Sequence, residues 1–332
     1  MNHQPPINTV APLSLQLPEA AVEDIWCKNG QFWALIGGSD LEYRSLTERQ
    51  VRTLINTHLA ALGQTGIKSK EVSKAIVWIC LKKAVDHVIP RLSGYQIGTE
   101  IINGALFLIP SALKVIQPVK GSADLIIDLL SHMLGSKQFP YFLSWLKVAY
   151  ECHKCGSKRP GQVVAFCGPK ECGKTLTQDL IITPILGGAA AEPYRYAIGR
   201  TEFNEDQFSA AHLKISDQKS PRNRGDIQDF IRRVAFNEDE QFHPKNRSAS
   251  LLPIFRRMTI SCNESEEDLA IIPPINDLED KLMLFKCSSL IASIDRLERL
   301  CDDYLSKGGE LPAHVIEFPS APYSQSVPKE RY

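Results

Sequence analysis

Eight consecutive residues, Gly168-Pro169-Lys170-Glu171-Cys172-Gly173-Lys174-Thr175, carry the spacing G-x-x-x-x-G-K-[ST]. Phosphate chemistry gives each fixed position a reason. A loop of this length turns its backbone N–H groups inward around an anion, and Gly173 lets the main chain approach with no Cβ in the way. Lys174 supplies a mobile cation for the outer phosphates, and the Thr175 hydroxyl is placed to ligate Mg²⁺. The whole run, Gly168 to Thr175, is therefore a candidate nucleotide site.

Such a loop works only between a strand and a helix. Val163–Phe166 is a short apolar, β-branched run and predicts a buried strand. A helix then runs to Gly187-Gly188, a natural C-terminal stop, and presents unpaired N–H groups and its positive dipole end to the loop. Ala211–Ser216 (AHLKIS) predicts a further strand that ends in Asp217. An acidic residue at that place suits a Mg²⁺-bound water beside Thr175, which makes Thr175 and Asp217 the metal candidates. Gln218 follows, and an amide orients water but cannot accept its proton at neutral pH. Ile254–Cys262 (IFRRMTISC) is a third strand, ending in Asn263, whose amide is suited to sensing a terminal phosphate and holding the attacking water. Lys281–Cys287 is the last strand, and Ser288–Lys307 an amphipathic helix stopped by Gly308-Gly309.

The chain before residue 150 has no such chemistry. Residues 1–22 read as a flexible arm and 23–150 as a mainly helical domain with small β additions. Asn29-Gly30 marks a hairpin within Ile25–Tyr43, and Asn103-Gly104 a second strand-turn-strand over Thr99–Pro110. Helices are predicted over Thr47–Leu62, with Thr47 and Gln50 as a capping box, and over Ser69–Val88, stopped by Pro90. Two more, Ala123–Leu134 and Tyr141–Tyr150, are separated by Gly135 and Pro140. Trp26 and Trp33 suit either a base-stacking platform or the packing of a small sheet on a helix. Residues 151–161 read as a linker, 162–310 as the P-loop domain and 311–332 as a partly mobile tail. Within the linker, Cys152-x-x-Cys155 lacks a second pair at metal spacing and reads as two free thiols.

The bulk properties narrow the setting. Of 332 residues, 43% are hydrophobic and the formal net charge is zero, so any nucleic-acid contact must come from a local patch. His212–Arg257 supplies one, with ten Lys/Arg against six Asp/Glu, a local excess of +4. Nine scattered cysteines fit a reducing, cytoplasmic setting. No signal peptide, membrane span or fixed-period repeat is apparent, so no membrane partner is expected.

The order P-loop, strand ending in Asp, basic hairpin, strand ending in Asn resembles a superfamily 3 helicase, a branch of the AAA+ ATPases. GPKECGKT resembles motif A, LKISDQ motif B, and VAFNEDEQFHPKNRSASLLPIFRRMTISCN the stretch from motif B′ to motif C. Upstream, INGALFLIP…SWLKVAY is similar to the region preceding the ATPase in phage and plasmid primase-helicases of the poxvirus type, although no primase domain fits before it. The resemblance implies an α/β fold, a P-loop AAA+ core with a parallel sheet between helices, using ATP and Mg²⁺. It implies catalytic roles for Lys174, Asp217, Gln218 and Asn263. His243, Lys245 and Arg247 would grip DNA from a hairpin lining the pore of a homo-oligomer, a hexameric ring. Arg256, Arg257 and Lys281 are candidates for the residue that completes a neighbour's ATP site. The implied partners are single-stranded or forked DNA and a replication protein, and the implied function is an ATP-dependent helicase or translocase replicating a mobile element or virus. Two positions depart from the pattern. Gln218 stands where many such ATPases carry a glutamate, and Lys281 where an arginine is expected, without its bidentate fork. The alternative is an ATP-binding switch that hydrolyses poorly. A P-loop kinase is a third reading, for which no acceptor-binding acid or lid arginine cluster is present.

Overall fold

A computed structural model describes residues 17–37, 41–216, 218, 224–237, 239–243, 249–274 and 278–289. These fall into two compact units, one made of the residues up to Pro90 with Ile97–Ser111, the other of Arg91–Gln96 with the residues from Ala112 onward.

In the first unit, β1 (Ile25–Lys28), β2 (Gln31–Ile36) and β3 (Glu42–Leu46) form an antiparallel sheet. Asn29 and Gly30 join β1 to β2 with φ of 49° and 78°, the doubly positive backbone of a two-residue hairpin. Ile25, Cys27, Phe32 and Ala34 pack on α1 (Glu48–Ala61) and α2 (Ser69–Lys82) through Val51, Ile55, Val72 and Ile79. The capping box of Thr47 and Gln50 opens α1. Trp26 and Trp33 are register partners and pack against Val85, Val88 and Leu108, which accounts for both by packing. β4 (His87–Val88), β5 (Gly98–Ile102) and β6 (Ala105–Ile109) complete a second small sheet, with Asn103-Gly104 at its turn.

Three expectations change here. The helix predicted over Ser69–Val88 ends at Lys82 because the chain leaves it to pair with β1. Lys83 O accepts from Cys27 N, and Val85 N donates to Cys27 O, both at 2.9 Å. Leu17, Ala21 and Val22, placed in a flexible arm, are buried in the core. The unit also holds six strands beside two helices, a larger β share than a mainly helical domain.

The second unit is an α/β layer structure. α3 (Asp124–Lys154) is broken at Gly135 (φ 69°, ψ 163°), so it is the two helices predicted on either side of that residue. Its apolar face, including Met133, Phe142, Trp145 and Ala149, buries against Phe166 and Phe285 of the sheet. The expected division at 151–161 is corrected accordingly. Glu151–Lys154 are the last turn of α3, which belongs with the sheet, and the first unit stops at Ser111.

Five parallel strands form that sheet in the order β13-β7-β12-β9-β8: Leu282–Lys286, Val163–Cys167, Arg257–Cys262, His212–Ser216 and Ala190–Ala191. After β7 a continuous helical run comprises α4 (Lys174–Leu176), a π-helical segment (Thr177–Ile182) and α5 (Thr183–Ile185). Thr183 Oγ1 donates to Gln178 O at 2.8 Å, five residues back, within the widened turn. α6 (Tyr194–Ala197) and α7 (Glu205–Phe208) lead into β9, and α8 (Arg224–Phe236) follows it. β10 (Asp239–Phe242) and β11 (Ser250–Pro253) pair as an antiparallel hairpin ahead of β12, and α9 (Glu266–Leu269) follows β12. α3 and the α4–α5 run cover one face of the sheet, α8 the other. The helix predicted over Ser288–Lys307 falls, from residue 290, outside the described residues, as does the tail. Among the described residues no helix is long and apolar enough to cross a membrane.

Candidate active site

The G-x-x-x-x-G-K-T run occupies the turn between the buried strand β7 and the helix start at Lys174. Two of its glycines are required by geometry. A Cβ on Gly168 would lie 2.6 Å from Cys287 O, and Gly173 has φ 89°. Glu171 also takes a left-handed backbone (φ 60°), a conformation a non-glycine residue holds only where the surroundings impose it. Lys174 is 4% exposed, and its Nζ donates to Gly168 O at 2.9 Å and Pro169 O at 2.6 Å. The ammonium is thus aimed into the loop and held by neutral carbonyls, weaker partners than the charged oxygens of a phosphate. Thr175, beside it, is exposed, as are Lys170 and Glu171. These residues fit an ATP phosphate chain with Mg²⁺. The metal would neutralise charge on the outer phosphates.

Cys172 adds something the motif does not specify. Its buried thiol is pulled down to about 6, chiefly by a hydrogen bond from Cys287 and then by the Lys174 charge, whose Nζ lies 3.6 Å from Sγ.

The strand order decides what faces the loop. β12 lies between β7 and β9, with Cys262 level with Cys167 and Ser261 level with Ser216. Asn263, half-buried, therefore leaves the same sheet edge as Gly168, between the loop strand and the strand that ends at Ser216. Asp217 lies outside the described residues; Gln218, beyond it, is half-buried.

A set of buried polar residues behind this edge was not visible in the sequence. His212, fully buried, contacts Thr183 Oγ1 through Nδ1 and Thr259 Oγ1 through Nε2, both at 2.7 Å. Gln178 Nε2 donates to the same Thr259 hydroxyl at 2.8 Å, and Ser216 Oγ donates to Gln178 Oε1 at 3.1 Å. Lys214 reaches Asp179 at 2.7 Å. Hydrogen bonds thus run from β9 and β12 to the helix that starts at Lys174. Burial pushes the His212 imidazole down to about 3, assisted by the Lys214 charge, so it is neutral at pH 7.

The basic candidates separate by burial. Arg256 is 5% exposed and pairs with Glu240 Oε2 at 2.9 Å. Arg257 is 3% exposed, donates to Arg159 O at 3.0 Å and stacks over Phe255. Both guanidinium groups are spent inside this chain, so reaching a neighbouring molecule would require breaking those contacts. Lys281 is the open member of the three, its side chain 35% exposed near Asp280. Glu240 had a sequence signal: it alternates with Phe242 at the inward positions of β10. Through Arg256 it fastens the hairpin to the entry of β12.

At the far end of β10, His243 is half-buried with its backbone clamped by Asn204. His243 N donates to Asn204 Oδ1 at 2.7 Å, and Asn204 Nδ2 donates to Gln241 O at 2.7 Å. Lys245 and Arg247 lie outside the described residues. Cys152 is half-buried and Cys155 exposed, both free thiols. No group of three metal-ligating side chains occurs among the described residues.

No family model matches the chain, and no curated protein does. Solved structures do. The C-terminal region of NrS-1 in its apo form aligns over 89% of this chain and 67% of its own length, with a TM-score of 0.56 at 13% identity. An A-form apo structure of that region aligns over the same shares with a TM-score of 0.55. A JCV helicase bound to an acetamide ligand aligns over 55% of this chain and 49% of its own, at 15% identity and a TM-score of 0.33. The NrS-1 likeness is one of fold. The α/β fold expected from the sequence, a parallel sheet between helices, is the architecture observed. Nothing in these comparisons singles out the poxvirus type.

Proposed function

We propose that the chain is an ATP-dependent, ring-forming DNA translocase or helicase serving replication of a mobile element or virus. The observation that carries this reading is the insertion of β12 between β7 and β9, which sets Asn263 at the same sheet edge as Lys174 and Thr175. In this reading Lys174 and Thr175 hold the phosphates and Mg²⁺, Asp217 completes the metal site, and Asn263 reads the terminal phosphate. A change at Asn263 passes along β12 to Arg256, through the buried Arg256–Glu240 pair to β10, and so to the DNA-gripping segment of His243, Lys245 and Arg247. Lys281 is the side chain available to a neighbouring subunit in a hexamer, and the implied partners are single-stranded or forked DNA and a replication protein.

The test is steady-state ATP hydrolysis with and without single-stranded DNA at fixed salt, comparing the parent with Lys174→Ala. DNA-stimulated turnover that disappears in Lys174→Ala supports the motor. A parent with no DNA affinity and a monomeric state removes it and favours a small-molecule phosphotransferase.

One residue favours a second reading. Gln218 offers an amide where a proton acceptor is needed, so turnover would be slow and ATP would act as a switch through its different affinity for two assembly states. In that case Gln218→Glu raises turnover; a fast parent that gains nothing from the acid rules the switch out.

A further inference from the structure

Four thiols gather where the parallel strands end. Cys167 closes β7, Cys262 closes β12, Cys287 follows β13 and Cys172 lies in the loop itself. All four are buried free cysteines, and Cys167 is the most open at 7%. Cys167 and Cys262 are level in register on neighbouring parallel strands, with their sulfur atoms 3.1 Å apart. Adjacent strands run about 4.8 Å apart, inside the Cα separation that a disulfide spans, and the sulfurs need approach by only about 1 Å to reach bonding distance. What each thiol precedes matters as much as the distance. The residue after Cys167 is Gly168, and the residue after Cys262 is Asn263. Gly168 N already donates to Cys262 O at 3.3 Å, so the two roots are in direct contact.

We propose that Cys167 and Cys262 form a peroxide-oxidisable pair, and that their disulfide locks the root of the phosphate loop to the root of Asn263 and shuts down nucleotide binding. The consequence for nucleotide rests on the P-loop reading above; the thiol pairing does not. The chemistry balances with one peroxide. The Cys167 thiolate attacks one peroxide oxygen and breaks the O–O bond, giving a sulfenic acid and, once its proton is supplied, water. The Cys262 sulfur then attacks that sulfenic sulfur and expels a second water. Two thiols lose two electrons and two protons, and the peroxide is reduced to two waters. The order of attack follows from the pair's asymmetry. The Cys167 thiol is pushed down by a hydrogen bond from Cys262 and by the Lys174 charge, while donating that bond, together with burial, pushes Cys262 up. Lys174 thus serves both chemistries, and bound phosphate, by drawing its ammonium away, would slow the oxidation.

The test treats the full chain with hydrogen peroxide, alkylates the remaining thiols, and maps disulfides by mass after digestion without reduction. Binding of a fluorescent ATP analogue is read on the same samples. The expected result is a Cys167–Cys262 crosslink with at least tenfold weaker binding. Both are reversed by dithiothreitol, and both are absent in Cys262→Ser and Cys262→Val. No crosslink, a Cys172–Cys287 link in its place, or a Cys167–Cys262 link that leaves binding unchanged would each overturn the proposal. If the crosslink forms but the reduced protein binds no nucleotide, the P-loop reading falls and takes the switch with it, while the thiol pair stands.

Discussion

On β9 and β12 the two faces of the parallel sheet are held by different forces, while β7 and β13 pack apolar side chains on α3 as well. Toward α8 the contact is dry: Leu213, Ile215, Met258 and Ile260 meet Ile227, Phe230, Ile231 and Val234. Toward the helix that starts at Lys174, the same two strands β9 and β12 present His212, Lys214, Ser216 and Thr259, bonded to Gln178, Asp179 and Thr183. Apolar contact is nondirectional and tolerates sliding, whereas a buried polar set holds one register and is costly to leave half made. On these two strands the dry side therefore supplies stability without fixing position. The polar face fixes where the phosphate loop's helix stands relative to the strands that lead to Asp217 and Asn263. Under the proposed function, this places the directional bonds where nucleotide chemistry would need position.

Acid separates the faces most strongly. His212 is held near 3 by burial and the Lys214 charge. On α3, facing the same side of the sheet, His153 is held to about 4 by burial and then the Arg257 charge, with its ring stacked 4.6 Å from Phe255 and neither nitrogen hydrogen-bonded among the described residues. Unfolded histidines bind a proton below about pH 6.5, and these two folded ones do not. Their contribution is complete above pH 6.5 and is lost as pH falls toward 4, by about 1.4 kcal/mol per unit for each. Urea unfolding at pH 7 and pH 4.5 should show about 2–3 kcal/mol lost through each histidine, and His212→Gln should flatten the profile. A profile equally steep in His212→Gln assigns the acid sensitivity elsewhere. On the dry face the counterpart is Phe230→Ala. Phe230 is 1% exposed and meets Tyr196 edge-on at 6.0 Å, so truncation should cost about 3–5 kcal/mol with no change in that pH profile.

How much of this was legible depended on how local the information was. The strand-turn-helix around Gly168–Thr175, the strands ending near residues 216 and 262, and both Asn-Gly turns follow from short spacings. The domain division was not. The apolar faces of α3 suit a helical domain as well as a sheet, and only their burial against Phe166 and Phe285, strands formed later in the chain, decides the matter. Arg256 and Arg257 looked available because two arginines beside a strand are usually solvated. Glu240 buries the first, and packing on Phe255 and the Arg159 carbonyl buries the second. In HLKIS and MTIS the polar residues alternate as they would on a solvent-facing strand. That they face a helix follows from a five-strand order no spacing encodes. The Cys167–Cys262 contact is hidden likewise, since 95 residues separate two thiols that only register brings level.

The finest test uses adjacent residues of β12 that point to opposite faces. Thr259 and Ile260 are both fully buried. Thr259→Val keeps the shape but removes the hydroxyl that contacts both His212 Nε2 and Gln178 Nε2. The Gln178 amide then loses its acceptor and the His212 ring one of its two contacts, which should cost about 1–3 kcal/mol. Ile260→Val removes one methylene from the α8 side, at about 0.5–1.5 kcal/mol. Stability alone separates them weakly, so ATP affinity is the deciding measurement. Loosening Gln178 frees the helix behind Lys174, so Thr259→Val should weaken ATP binding severalfold beyond any effect of the lost stability. Ile260→Val should leave ATP binding unchanged. Equal effects on affinity would mean that the two faces position the loop alike, and that the polar set is one more way of filling a core.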